Sequence, residues 1–134
     1  MEINDLISNY YEAFNRQDVD GMIACLHPDF IHDINEGKRQ NGLDSFRDFM
    51  AHMNECYYEQ LKDIYVMVHR SKERAAAEFV VHGVYLKTDG TLPVANKQRY
   101  ILNAGTFFSL KEEKILRVTT YYNLNEWIKQ VSSK

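Results

Sequence analysis

Apolar residues recur every three or four positions at the start of the chain. Ile3, Leu6, Ile7, Tyr10 and Phe14 form one stripe, and Glu2, Asn9, Asn15 and Arg16 lie off it. That spacing predicts a helix, with Asn4 or Asp5 as its cap. A second stripe, Val19, Met22, Ile23 and Leu26, follows Asp18 as N-cap and is stopped after His27 by Pro28. Residues 30–34 read as a short strand, and Glu36-Gly37-Lys38 as a turn. The clearest helical stripe is Leu43, Phe46, Phe49, Met50, Met53 and Tyr57, with Gly42 at its start.

Beyond residue 60 the period shortens. Segments 61–70, 74–87, 97–111 and 114–123 are rich in Val, Ile, Tyr, Thr and Phe and read as four strands. Asp89-Gly90 turns the chain ahead of Pro93, and Glu112-Glu113 closes a hairpin. Leu124, Trp127, Ile128 and Val131 predict a short closing helix. Helices followed by consecutive strands indicate an α+β fold, with three helices covering one face of a mostly antiparallel sheet. No linker, repeat or low-complexity tract divides residues 1–134, so one domain is expected.

Composition narrows the function classes. The chain has 134 residues, 45% hydrophobic and 26% charged, enough for a core without staples. Its net charge is -3 and no basic stripe runs through it, which argues against nucleic acid. Two cysteines, Cys25 and Cys56, sit in helical apolar patterns and read as buried small hydrophobes. With Met-Glu-Ile-Asn-Asp in place of a secretory signal, and no long apolar run, a cytoplasmic protein off the membrane is expected.

The five histidines, His27, His32, His52, His69 and His82, form no HxH or HExxH arrangement, so no metal is expected. No phosphate loop or nucleophile elbow calls for phosphotransfer or serine chemistry, and no motif calls for a cofactor.

In the third long strand Ile101, Asn103, Gly105 and Phe107 are assigned to the inner face. The alternate set, Tyr100, Leu102, Ala104, Thr106 and Phe108, is also apolar. Burial on both faces predicts helices inside and a second copy of the chain outside, a homodimer. In the fourth strand Val118, Thr120 and Tyr122 share a face. In the second, Glu78 and His82 share one and read as an interface ion pair or a second acid–base site.

Two stretches carry a family resemblance. One runs from Asn9-Tyr10-Tyr11-Glu12-Ala13-Phe14 through Asp18-Val19-Asp20 to Leu26-His27-Pro28-Asp29-Phe30. The other spans Thr106-Phe107-Phe108-Ser109, the Glu112-Glu113 hairpin and 115–122. Together they resemble the NTF2-like superfamily, and within it the steroid isomerase-related, SnoaL-like proteins. The resemblance implies a cone-shaped barrel, a deep apolar pocket for a small hydrophobic ligand, and dimerisation through the outer sheet face. It also implies roles. The oxyanion-donor position falls on Tyr10, which reads equally as a core tyrosine. The base position falls on Ile34 without a gap, and on Asp33 with one residue removed. The second oxyanion acid falls on Gly105, which cannot donate, and leaves Asn103 as a weaker substitute. Phe14, His32, Phe49, Met53, Gly105, Phe107, Tyr122 and Trp127 are the expected pocket residues. Three functions follow as expectations: cofactor-free isomerisation or cyclisation of a small carbonyl compound, ligand binding alone, or a dimeric scaffold.

Overall fold

The computed structural model describes residues 1–132. Its elements run α1 (Ile3–Asn15), α2 (Val19–Ile23), β1 (Leu26–Ile34), β2 (Lys38–Asn41), α3 (Leu43–Cys56), β3 (Tyr57–Val68), β4 (Arg74–Tyr85), β5 (Arg99–Lys111), β6 (Lys114–Tyr122) and α4 (Leu124–Ser132). The strands form one six-stranded sheet in the order β2-β1-β6-β5-β4-β3. Every pairing is antiparallel except β1 with β6. The α+β expectation holds: the helices fill the concave side of a sheet that curves without closing.

Local chemistry sets most boundaries. Asp18 caps α2, its side chain accepting from the Gly21 amide at 2.9 Å. The first helix, by contrast, begins one residue before Asn4, with Glu2 at the cap and no side-chain bond there. Gly42 opens α3 with φ +94°, a left-handed conformation that disfavours any side chain. Glu112 and Glu113 both take positive φ, as a two-residue turn matched to strand twist demands.

Three of the differences from the sequence reading have a clear physical reason. Leu26 belongs to β1, where it pairs with Ile115, and α2 ends at Ile23. Pro28 therefore lies inside a strand, where the register with β6 shifts between Leu26 and Ile31; a proline has no amide to give a regular ladder. Lys38–Asn41 is a strand rather than part of a turn. Its polar, exposed sequence hides it, and those charges keep the sheet edge from pairing further. Tyr57 opens β3 instead of closing α3, its backbone already extended.

Ile7, Phe30, Phe46, Phe108 and Ile115 are almost fully buried between helices and sheet. A two-way clamp docks the end of α1 on β3: the Asn15 side chain accepts from the Leu61 amide at 2.8 Å and donates to its carbonyl at 3.0 Å. That clamp satisfies strand groups that a helix would otherwise cover unpaired. It also holds α1 at the wall of the interior cavity.

Candidate active site

A cavity of about 410 Å³ opens between the concave sheet face and the helices. Its size suits a small organic ligand. Tyr10, Phe14, His32, Phe49, Met53, Tyr122 and Trp127, all expected pocket residues, line it. So does Ile34, the ungapped base position.

The gapped alternative fails on strand parity. His32 pairs with Val118, and both face in; Asp33 pairs with Thr119, and both face out. On the outer face Asp33 accepts from Arg39 Nε at 2.6 Å and Nη2 at 3.0 Å, and from the Thr119 hydroxyl at 2.8 Å. The Arg39 bond holds its carboxyl below the usual carboxylate range. A carboxylate so satisfied, outside the cavity, is not placed to take a proton from a ligand within it.

The same parity corrects β5. Leu102, Ala104 and Thr106 line the cavity, so Asn103, Gly105 and Phe107 point away from it. Phe107 is 51% exposed and packs edge-on against Tyr121 at 5.8 Å. The two residue sets are similarly apolar, which removed the alternation that would have fixed the face. Glu78 and His82 share the outer face, opposite Phe79 and Val81.

Among the described residues two carboxylates reach the cavity, Glu59 and Asp89, neither of them foreseen. Glu59 sits inside the protein envelope but keeps some accessible surface because it borders the cavity. Desolvation raises its pKa, and the Tyr100 hydroxyl, donating at 2.6 Å, partly opposes that rise. The sheet builds this pair across three strands: Glu59 on β3 is opposite Gly83, and Gly83 on β4 is opposite Tyr100. The Tyr100 ring crosses the bare Gly83 backbone, where a Cβ would lie 2.2 Å from its Cζ. A signal for this existed in the lone glycine inside an apolar strand.

Polar atoms around the cavity are under-satisfied. Among the described residues, Tyr11 Oη, His32 Nδ1, Asn35 Nδ2 and Gln40 Oε1 are buried with no hydrogen-bond partner, and all four residues line this one cavity. Burial raises the pKa of Tyr11, and the nearby Thr106 hydroxyl partly opposes that rise. Burial drives His32 down to about 4, against a small opposing pull from Asp33. His32 is thus a neutral imidazole, held among Phe30, Phe46 and Phe49, with ring centroids 6.0, 5.4 and 4.7 Å away. Tyr10 is buried in the core beside the cavity, and burial raises its pKa.

At the mouth, Asp89 accepts from the Tyr57 hydroxyl at 2.6 Å and meets His52 Nε2 at 2.7 Å. Cys56 Sγ lies 3.9 Å from the same nitrogen. No helix among the described residues is long and apolar enough to cross a membrane.

Comparison with known proteins agrees with this architecture. A candidate polyketide cyclase of Pseudomonas putida is 53% identical, with a TM-score of 0.96 and 98% of each chain covered. One from a Silicibacter species is 51% identical, TM-score 0.96, over 98% of this chain and 96% of that one. An NTF2-like protein of unknown function from Burkholderia pseudomallei shares the fold alone, at 16% identity and TM-score 0.77 over 99% of each chain. No curated protein matches. The SnoaL-like domain model matches residues 7–118. With the curved sheet, the cavity and that match together, the chain belongs to the SnoaL-like domain family and has the fold of NTF2-like proteins.

Proposed function

We propose that the cavity binds a small, largely apolar compound carrying carbonyl and hydroxyl groups, and that Glu59 moves one of its carbon-bound protons. The observation that supports this most is that four residues with unpartnered buried polar atoms line one mostly apolar cavity. A buried polar atom without a partner costs about 1–3 kcal/mol, so a fold that keeps several around one cavity gains when a ligand supplies the partners. The set offers donors and acceptors together: an Asn35 amide, a Gln40 carbonyl, a tyrosine hydroxyl and an imidazole nitrogen. A hydroxylated polycarbonyl skeleton matches it.

In this reading Glu59, with its raised pKa, takes the proton between two carbonyls as the general base. The hydroxyls of Tyr10 and Tyr11 donate to the enolate oxygen that develops. The enolate either receives the proton at another carbon, an isomerisation, or attacks a second carbonyl, a cyclisation. The names of the Pseudomonas and Silicibacter relatives favour the second outcome. The ligand-binding alternative differs in one point: the same contacts form and no proton moves.

The outer sheet face supports the homodimer. Ile101, Phe107 and Tyr121 are more than half exposed on adjacent strands β5 and β6, and Tyr65 and Met67 continue the patch on β3. Exposed apolar side chains on the outer face of a sheet suit a second copy of the chain.

The direct test of the cavity is a fluorescence titration with a planar polyphenol, on wild type and Tyr11→Phe. Saturable binding that Tyr11→Phe weakens by about 1 kcal/mol, roughly five-fold, is expected. Absence of binding to a well-folded wild type would overturn the ligand class.

A further inference from the structure

We propose that His52, Cys56 and Asp89 form a site for a divalent transition-metal ion of the Zn2+ class at the cavity mouth. This does not rest on the acid–base reading of Glu59. His52 and Cys56 stand one turn apart at the end of α3, on the same side of the helix. Asp89 arrives from the turn after β4. One imidazole nitrogen, one sulfur and one carboxylate oxygen all lie within 4.8 Å of one another.

A histidine relay between thiol and carboxylate would use both ring nitrogens, one to each partner. Here the Asp89 oxygen and the Cys56 sulfur both approach Nε2, at 2.7 and 3.9 Å. One nitrogen cannot serve as donor to one group and base to the other. Three donor atoms converging on a single point are instead the arrangement of a three-ligand metal centre with a further position open.

The site is also braced. The Tyr57 hydroxyl holds Asp89 Oδ2 at 2.6 Å, which leaves Oδ1 for the ion. The Asp89 amide donates to the Tyr85 hydroxyl at 3.0 Å, and that hydroxyl donates to the Pro93 carbonyl at 2.7 Å. Such outer contacts orient ligands before an ion arrives. Binding would release the Cys56 thiol proton to solvent and leave a thiolate, the donor that selects Zn2+ over Mg2+ or Ca2+. His52 and Asp89 line the cavity, so the open position faces a bound molecule.

The experiment is a Co2+ titration of reduced, chelator-treated full-length protein, followed by displacement with Zn2+. One equivalent should produce a near-ultraviolet thiolate-to-cobalt band that Zn2+ removes. Cys56→Ser should abolish the band, and Cys25→Ser should keep it. Tyr57→Phe should weaken binding about 10–100-fold. His52 is exposed, so His52→Ala keeps the fold and should lose tight binding even if Cys56→Ser does not fold. A folded wild type without the band, or a band that follows Cys25, would overturn the site.

Discussion

The Tyr100 hydroxyl donates to Glu59 Oε2 at 2.6 Å from two strands away, across the bare backbone of Gly83. The bond favours the ionised carboxylate, while burial favours the neutral acid, and burial wins. Tyr100→Phe should therefore raise the Glu59 pKa further and shift the acidic limb of any pH–rate profile to higher pH. Carboxyl 13C chemical shifts followed against pH would measure the change at the residue itself.

Gly83→Ala should reproduce that phenotype from the opposite side. Its Cβ would collide with the Tyr100 ring, so the ring must leave or the strands must part. Overpacking of this kind costs about 1–3 kcal/mol. Denaturant unfolding should show that loss, and the Glu59 titration should resemble that of Tyr100→Phe.

Tyr11→Phe separates binding from stability. The hydroxyl has no protein partner, so its removal should leave thermal stability unchanged or slightly higher. Ligand affinity should fall. A matching drop in melting temperature would mean that the hydroxyl is bonded within the fold after all.

His32 should govern part of the acid limb of stability. Its folded pKa, about 4, lies below the ordinary 6.5, so the unfolded chain binds its proton first. Stability is then lost as pH falls from about 6.5 to 4, by about 3 kcal/mol in full. His32→Phe should flatten that window in urea titrations at successive pH values. Asp33 acts lower: its depressed pKa contributes stability above about 3.9 that fades only in stronger acid.

Face assignment yields a paired prediction. Asp33→Asn should leave cavity binding and proton transfer unchanged, because its side chain is on the convex side with Arg39 and Thr119. Phe107→Glu should dissociate the proposed dimer in sedimentation velocity, with ligand binding retained.

The fold was legible because its signals are periodic. The stripes of α1 and α3 and the β-rich second half each announced an element. The parts that failed lacked a period. β2 is four polar residues, and β5 is apolar on both sides, so neither face of Ile101–Phe108 stood out. Parity then decided the site, since a one-residue slip sends every side chain to the other face. The gap that placed Asp33 at the base position made such a slip, and Ile34 is what faces the cavity. Glu59 was hidden for another reason. Its meaning comes from Gly83 and Tyr100, which only strand pairing brings beside it. The His52–Cys56 spacing was visible on one helix, but its third partner, Asp89, is supplied by a distant turn.

The most direct test of Glu59 as a proton carrier is deuterium exchange at the carbon between the carbonyls of a planar 1,3-diketone, followed by NMR. Wild type should accelerate the exchange, and Glu59→Gln should slow it about 10²–10⁴-fold while still binding the diketone. A wild type that binds the diketone without accelerating exchange, or a Glu59→Gln variant that exchanges as fast, would contradict the account.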